Sequence, residues 1–133
     1  MTIYLGIKYH ENGSNRAKIE EIAMLLEAEG HELICVFRDL EKWGELSFRP
    51  DDLMTRTFEI VDRSGLVLIE LSEKGVGLGI EAGYAHAKGK PILTIASTGS
   101  DISTTLSGIS SDVILYDSYS QLLTQIKPWL KIS

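Results

Sequence analysis

A three-layer α/β domain, built on a doubly wound parallel sheet of five strands, is the fold this sequence predicts. Three observations carry that expectation. Short apolar runs alternate with helix-period patterns from end to end, which implies right-handed crossovers and a parallel sheet covered on both sides. Leu66 to Leu71 is a near-continuous apolar run, the mark of a strand buried on both faces. At 133 residues the chain is one ordinary domain, expected to span 1–133. Its core can bury roughly two-thirds of the unfolded surface, so no disulfide or metal staple is needed.

Ile3-Tyr4-Leu5-Gly6-Ile7 is rich enough in strand formers to be the first strand. Ser14 or Asn15 can cap the helix that follows. Ile19, Ile22, Ala23 and Leu26 give that helix its apolar face, and Gly30 stops it. Glu32 to Phe37 reads as the second strand, and Arg38 to Arg49 as polar and irregular. Pro50 suits the first turn of the next helix, with Asp51 and Asp52 at its positive end. Met54, Phe58 and Val61 supply its stripe. After the strand at Leu66 to Leu71, a loop from Ser72 to Gly77 leads into a helix ending near Gly89. Pro91 to Ala96 is the fourth strand. Ser97 to Ser111 is rich in Ser, Thr and Gly and holds one short helix. Val113 to Tyr116 is the fifth strand. Leu122, Leu123, Ile126 and Leu130 mark a last helix, frayed at Pro128. The expected strand order is the flavodoxin-like, Rossmann-like 2-1-3-4-5. Ligands of such sheets bind at the carboxyl ends of the strands where the order reverses. That places the site in the loops after Ile7 and after Leu71.

Composition narrows the function. The net charge of −6 argues against a nucleic-acid polymer as partner. No apolar stretch approaches the ~20 residues of a membrane span, and the start Met1 to His10 reads as a strand, not a signal peptide. Cys35 is the only cysteine, which fits a reducing, cytoplasmic compartment. His10, His31 and His86 lack ligand spacing, so neither metal nor cofactor is expected.

The loop after the third strand carries Gly75, Gly77 and Gly79, followed by Glu81. The glycines either shape a tight turn or let backbone N–H groups approach an anion. Glu81, expected in the first helical turn, is either a charge placed for the helix dipole or a carboxylate that the same dipole keeps ionised. Fixed at a pocket edge, such a carboxylate can attack an electron-poor sugar carbon. The spacing is neither a dinucleotide fingerprint nor a P-loop. In the loop after the first strand, Lys8, Tyr9, His10, Asn12 and Ser14 could contact a phosphate or a base. Cys35, inside an apolar strand, reads as inert core.

Tyr4, the strand Leu66 to Leu71, and Gly75-x-Gly77-x-Gly79-x-Glu81-x-Gly83-x-Ala85 together resemble the nucleoside 2-deoxyribosyltransferase superfamily. Within it the chain is most similar to the 2′-deoxynucleoside 5′-phosphate N-hydrolases. The resemblance covers most of the chain and is densest from Leu66 to Ala96. It implies cleavage of an N-glycosidic bond, with Glu81 attacking C1′ to form a deoxyribosyl-enzyme and Tyr4 positioning it. Implied substrate contacts are Gly6, Ile7, Lys8, His10, Thr57, Gly75, Gly77, Gly79 and Thr104. The 5′-phosphate would be held by the segments from Ile7 to His10 and from Gly75 to Gly77. Members are dimers or larger, so a homo-oligomer is implied, with Ser103 to Leu106 reaching a neighbouring subunit's site.

Three positions depart from the family pattern. The Asp that assists from the second helix is Thr57 here, an Asp at the start of strand 3 is Gly65, and the Ser or Asp of the glycine loop is Gly75. Thr57 cannot be a general acid near neutral pH. Glu59, Asp62 and Glu70 are the candidate substitutes. The expected activity is hydrolysis of a (deoxy)nucleoside 5′-monophosphate at its glycosidic bond. Base exchange by a transferase and a non-catalytic nucleotide-binding module are the alternatives. A flavodoxin-like redox or signalling role is a weaker one, since no flavin loop with paired aromatics is present.

Overall fold

A computed structural model describes residues 1–130, so the last three residues of the expected 1–133 domain lie outside the described residues. Five strands, β1 (Thr2–Ile7), β2 (Glu32–Cys35), β3 (Leu66–Glu70), β4 (Ile92–Ser97) and β5 (Asp112–Tyr116), form one sheet. Its order is β2-β1-β3-β4-β5, with every neighbouring pair parallel. One lateral row runs Cys35, Leu5, Leu68, Leu93 and Asp112. The five crossover and flanking helices are α1 (Arg16–Glu27), α2 (Pro50–Arg63), α3 (Val76–Ala87), α4 (Thr104–Ile109) and α5 (Tyr119–Leu130).

The sheet's side-chain alternation sorts the helices into two layers. Leu5, Leu66, Leu68, Leu93 and Ile114 pack with α1 and α5 through Ile19, Ile22, Leu26, Leu122 and Ile126. Tyr4, Val67, Ile69 and Ile92 pack on the other face with α2, α3 and α4 through Ile60, Val61, Leu78, Ala82, Ala85 and Leu106. All five residues of β3 are buried, as its apolar run predicts.

Three local expectations change. The stretch read as irregular is ordered: Val36–Leu40 is a π-helical turn and Lys42–Gly44 a 3₁₀ turn. Asp39 accepts a 2.8 Å hydrogen bond from the Cys35 N–H, and Arg38 donates to Leu33 O at 2.8 Å, which ends β2 two residues early. Lys42 and Trp43 then take positive φ of 49° and 60°, a conformation that costs a non-glycine residue about 1–3 kcal/mol. The loop before α3 is shorter than expected, because the helix begins at Val76 with Gly75 as its cap. Gly77 and Gly79 are therefore helical, and Glu81 stands in the second turn. Lastly, α5 runs through Pro128 to Leu130, since Trp129 and Leu130 pack against the core and hold the last turn.

Glu70, at the end of β3, is 1% exposed on the α1/α5 face. It accepts from Ser72 N–H at 2.6 Å and from the Tyr116 hydroxyl, with Lys18 Nζ 3.6 Å away. Tyr116→Phe leaves a buried acceptor short of a donor, so we expect about 1–3 kcal/mol of lost stability, read from the midpoint of urea unfolding.

Candidate active site

Glu81 lies on α3 above the carboxyl end of β1. Leu78, Ala82 and Ala85 seat that helix on the sheet, and the 3.6-residue period turns Glu81 toward Tyr4 and Gly6. The Tyr4 hydroxyl donates to Glu81 Oε1 at 2.6 Å. Glu81 Oε2 is buried and has no hydrogen-bond partner. Gly6 makes room for it: a Cβ there would lie 2.7 Å from Oε2 and 3.1 Å from Ile69 Cδ1, closer than van der Waals contact allows.

Burial dominates the ionisation of this pair. It pushes the Glu81 carboxyl up to about 7, against the opposing effect of the Tyr4 hydrogen bond. The sequence expectation that the helix dipole keeps Glu81 ionised is thus corrected. In the second turn the dipole has faded, and desolvation wins. Tyr4 is driven well above its ordinary value by burial and then by the Glu81 charge, so it stays a hydroxyl donor.

Glu81 lines a cavity of ≈ 340 Å³ at the carboxyl edge of the sheet, together with Tyr4, Ile7, Lys8, Thr57, Gly75 and Gly77 among others. That volume falls within the usual range for small-molecule sites. Gly75 caps α3 without any side-chain hydrogen bond, so the first amides of the helix remain free donors. Lys8 crosses beside them, its Cγ 3.7 Å from where a Gly75 Cβ would stand. Lys8, Gly75 and Gly77 all line the cavity, so a cationic side chain and the start of α3 border it, an arrangement that can hold an anion.

Other predicted residues stand elsewhere. His10 pairs with Glu73 at 3.0 Å and does not line the cavity. Gly79 is exposed within α3, and Thr104 is exposed at the start of α4; neither lines it. Thr57 does, but its hydroxyl proton is given to Leu53 O at 2.8 Å. None of the candidate substitutes for the missing Asp reaches the cavity. Glu59 faces a groove along the β2 edge, Asp62 accepts from the Tyr84 hydroxyl at 2.8 Å, and Glu70 points to the opposite face. The β2-edge groove is larger, ≈ 690 Å³. Its arginines are partly neutralised by pairing, Arg38 with Glu27 and Asp39, and Arg56 with Asp52, and it contains no bare buried group. Among the described residues no group of His, Cys, Asp and Glu is arranged to hold a metal, and no helix is long and apolar enough to cross a membrane.

No protein-family model matches the sequence, and no curated protein does either. Solved structures do match. A CMP N-glycosidase from Clostridium botulinum aligns with a TM-score of 0.71 at 19% identity, over 97% of this chain and 99% of the other. A conserved protein from Enterococcus faecalis V583 gives 0.76 at 15% identity, over 97% and 98%. A 2-deoxyribosyltransferase from Bacillus psychrosaccharolyticus gives 0.69 at 15% identity, over 92% and 90%. The chain shares their fold.

Sequence reasoning missed one wall of the cavity. Val36, Phe37, Glu41, Leu53 and Met54 line it, together with Cys35, beside Tyr9, which the sequence did offer as a ligand contact. The Tyr9 and Phe37 rings lie 4.8 Å apart, and Phe37 meets Trp43 at 5.6 Å. The clustering of Tyr9, Phe37 and Trp43 near two strand ends was the available signal. Burial raises the Cys35 thiol to about 11, so it lines the wall as a neutral group.

The elevated Glu81 pKa has a consequence for stability. With a folded value of about 7 against 4.5 unfolded, the folded state holds the extra proton between those values, so stability falls as pH rises through the window. Glu81→Gln removes that loss. We expect the variant to outlast the parent in chemical denaturation at pH 8 by an amount on the order of 1–3 kcal/mol, with the gap closing toward pH 4.5.

Proposed function

We propose that this protein is an enzyme of the nucleoside 2-deoxyribosyltransferase type that hydrolyses the N-glycosidic bond of a (deoxy)nucleoside 5′-monophosphate. The observation that carries the reading is that Glu81 lines a nucleotide-sized cavity, with one carboxylate oxygen fixed by Tyr4 and the other without a hydrogen-bond partner. In this reading Oε2 attacks C1′ as the bond to the base breaks, and water then releases the sugar from the enzyme. A carboxylate deprived of water regains an electrostatic partner when positive charge develops at C1′, so the burial that raises its pKa favours the transition state over the ground state. Tyr4 holds the carboxylate in line and remains protonated throughout.

Lys8 with the Gly75 and Gly77 end of α3 receives the 5′-phosphate. The apolar wall of Phe37, Val36, Leu53 and Met54 receives the base, with Tyr9 at the rim. The fold shared with a CMP N-glycosidase and a 2-deoxyribosyltransferase supports this reading. So does Lys8, which favours a phosphorylated substrate and hence hydrolysis over base exchange on free nucleosides. Glycosidase chemistry of this kind requires no cofactor. We assign the protein to the cytoplasm on its single buried thiol, Cys35, and to a homo-oligomer. Val76 and Ile80, 84% and 48% exposed on the outer side of α3, support the latter assignment. Thr57, with its proton committed to Leu53, favours a second reading as a non-catalytic nucleotide-binding module.

Base release from a panel of nucleosides and their monophosphates, with and without an acceptor base, separates these readings. We expect monophosphates to be cleaved without an acceptor, and Glu81→Gln to lower kcat/KM by about a thousandfold or more. Since the attacking form is the anion, kcat/KM should climb with pH up to about 7 and then level on that limb. Exchange without net hydrolysis would assign a transferase. Nucleotide binding without turnover would assign the binding module.

A further inference from the structure

The proposed reaction needs a proton donor for the departing base, and Thr57 stands where the family resemblance implies an assisting Asp. This inference rests on the N-glycosidase reading above. Among the described residues that line the cavity, only two carry a carboxyl group, Glu81 and Glu41. Glycoside hydrolysis generally places two carboxyl groups about the scissile bond, one to attack and one to give and take the proton.

Glu41 is held by its backbone. Its N–H donates to Val36 O at 3.0 Å, and its carbonyl accepts from the N–H groups of Gly44 at 2.9 Å and Leu46 at 3.0 Å. The next three residues, Lys42, Trp43 and Gly44, all have positive φ, at 49°, 60° and 93°. Packing keeps this bend closed: the Trp43 ring lies 5.6 Å from Phe37, and the Arg16 guanidinium sits 4.3 Å over it. The Glu41 carboxyl itself has no hydrogen-bond or ion-pair partner among the described residues. A backbone so constrained holds a residue with an uncommitted carboxyl in the lining of the cavity. Partial burial raises its pKa, the direction a proton donor needs.

The other acids of the cavity are spoken for. The Tyr4 proton is bonded to Glu81, the Thr57 proton to Leu53, and the Cys35 thiol is too weak an acid at about 11. Lys8 lies by Gly75, at the anion end.

We propose that Glu41 is the general acid–base residue of this site. In the first step the Glu81 Oε2–C1′ bond forms and the C1′–N bond breaks. The electron pair of that bond leaves with the base, which takes the Glu41 proton, and Glu41 becomes a carboxylate. In the second step water attacks C1′, the C1′–Oε2 bond breaks, and Glu41 receives the proton that the water loses. The sum is nucleotide plus water giving free base plus sugar phosphate, with both glutamates restored.

The test compares two leaving groups on one sugar. Glu41→Gln and the parent enzyme are assayed on a cleaved nucleoside monophosphate and on the same sugar 5-phosphate bearing 4-nitrophenoxide at C1′, which departs without a proton. We expect Glu41→Gln to lose on the order of 10²–10⁴-fold in kcat/KM, which reads the first step, on the nucleotide and less than about tenfold in kcat/KM on the nitrophenyl substrate. Unfolding midpoints of the two proteins verify that the variant is folded. Equal losses on both substrates, or none on the nucleotide, would overturn the role of Glu41 alone. A parent enzyme that releases neither base nor nitrophenoxide would overturn the glycosidase reading beneath it.

Discussion

A buried carboxylate with a single hydrogen bond is the constraint around which this site is arranged. Taking a carboxylate out of water is costly unless donors replace the solvent. Tyr4 supplies one donor to Glu81 Oε1 at 2.6 Å, and nothing meets Oε2. The surrounding structure keeps Glu81 in place despite that cost. Tyr4 is 1% exposed on a strand paired on both sides, so its hydroxyl cannot follow the carboxylate elsewhere. Leu78 and Ala82 press α3 onto the sheet. Gly6 leaves the space into which Oε2 points, and any side chain there would close it. The unmet oxygen is thus maintained by the best-packed part of the molecule.

Glu70 shows that burial at this edge does not by itself leave an acid unsatisfied. It too stands at a strand's carboxyl end and is 1% exposed. Strand alternation turns it to the opposite face, where Tyr116, the Ser72 amide and Lys18 surround it. The two glutamates share position along the sheet and differ in supply of donors. One fixes β3 to β5 and α1. The other has an oxygen to spare, on the face that carries the cavity.

The sheet was readable from the sequence because its strands are short, apolar and regularly spaced. Leu66 to Leu71 reads as a strand buried on both faces, and the order of the strands came from analogy with the flavodoxin-like sheet, since crossover rules fix handedness and not order. Lys8, just beyond the first strand, was readable as a ligand contact for the same reason, whereas Tyr4, Gly6 and Ile7 entered only through the family resemblance. The start of α3 was not. Gly75, Gly77 and Gly79 suggest a loop, and only packing of Leu78 on the sheet makes two of them helical. That displacement of the helix start moved Glu81 from the first turn to the second and changed which force governs its ionisation. The wall formed by Val36, Phe37 and Glu41 was hidden because one π-helical turn of five residues has no period to detect. Its geometry comes from Asp39 and Arg38 capping the end of β2, pairings that no spacing rule foretells.

Fixed and variable parts of the cavity therefore come from different kinds of structure. Glu81 and the Tyr4 phenol that fixes it sit on α3 and β1, where motion would require repacking the core. Val36, Phe37 and Glu41 sit on the connection from β2 to α2, where two non-glycine residues hold positive φ and contacts to the Trp43 ring restrain the chain. In the proposed reaction Glu41 and Phe37 share this one connection, so a change in Trp43 or Arg16 would alter both together while Tyr4 and Glu81 stayed as they are.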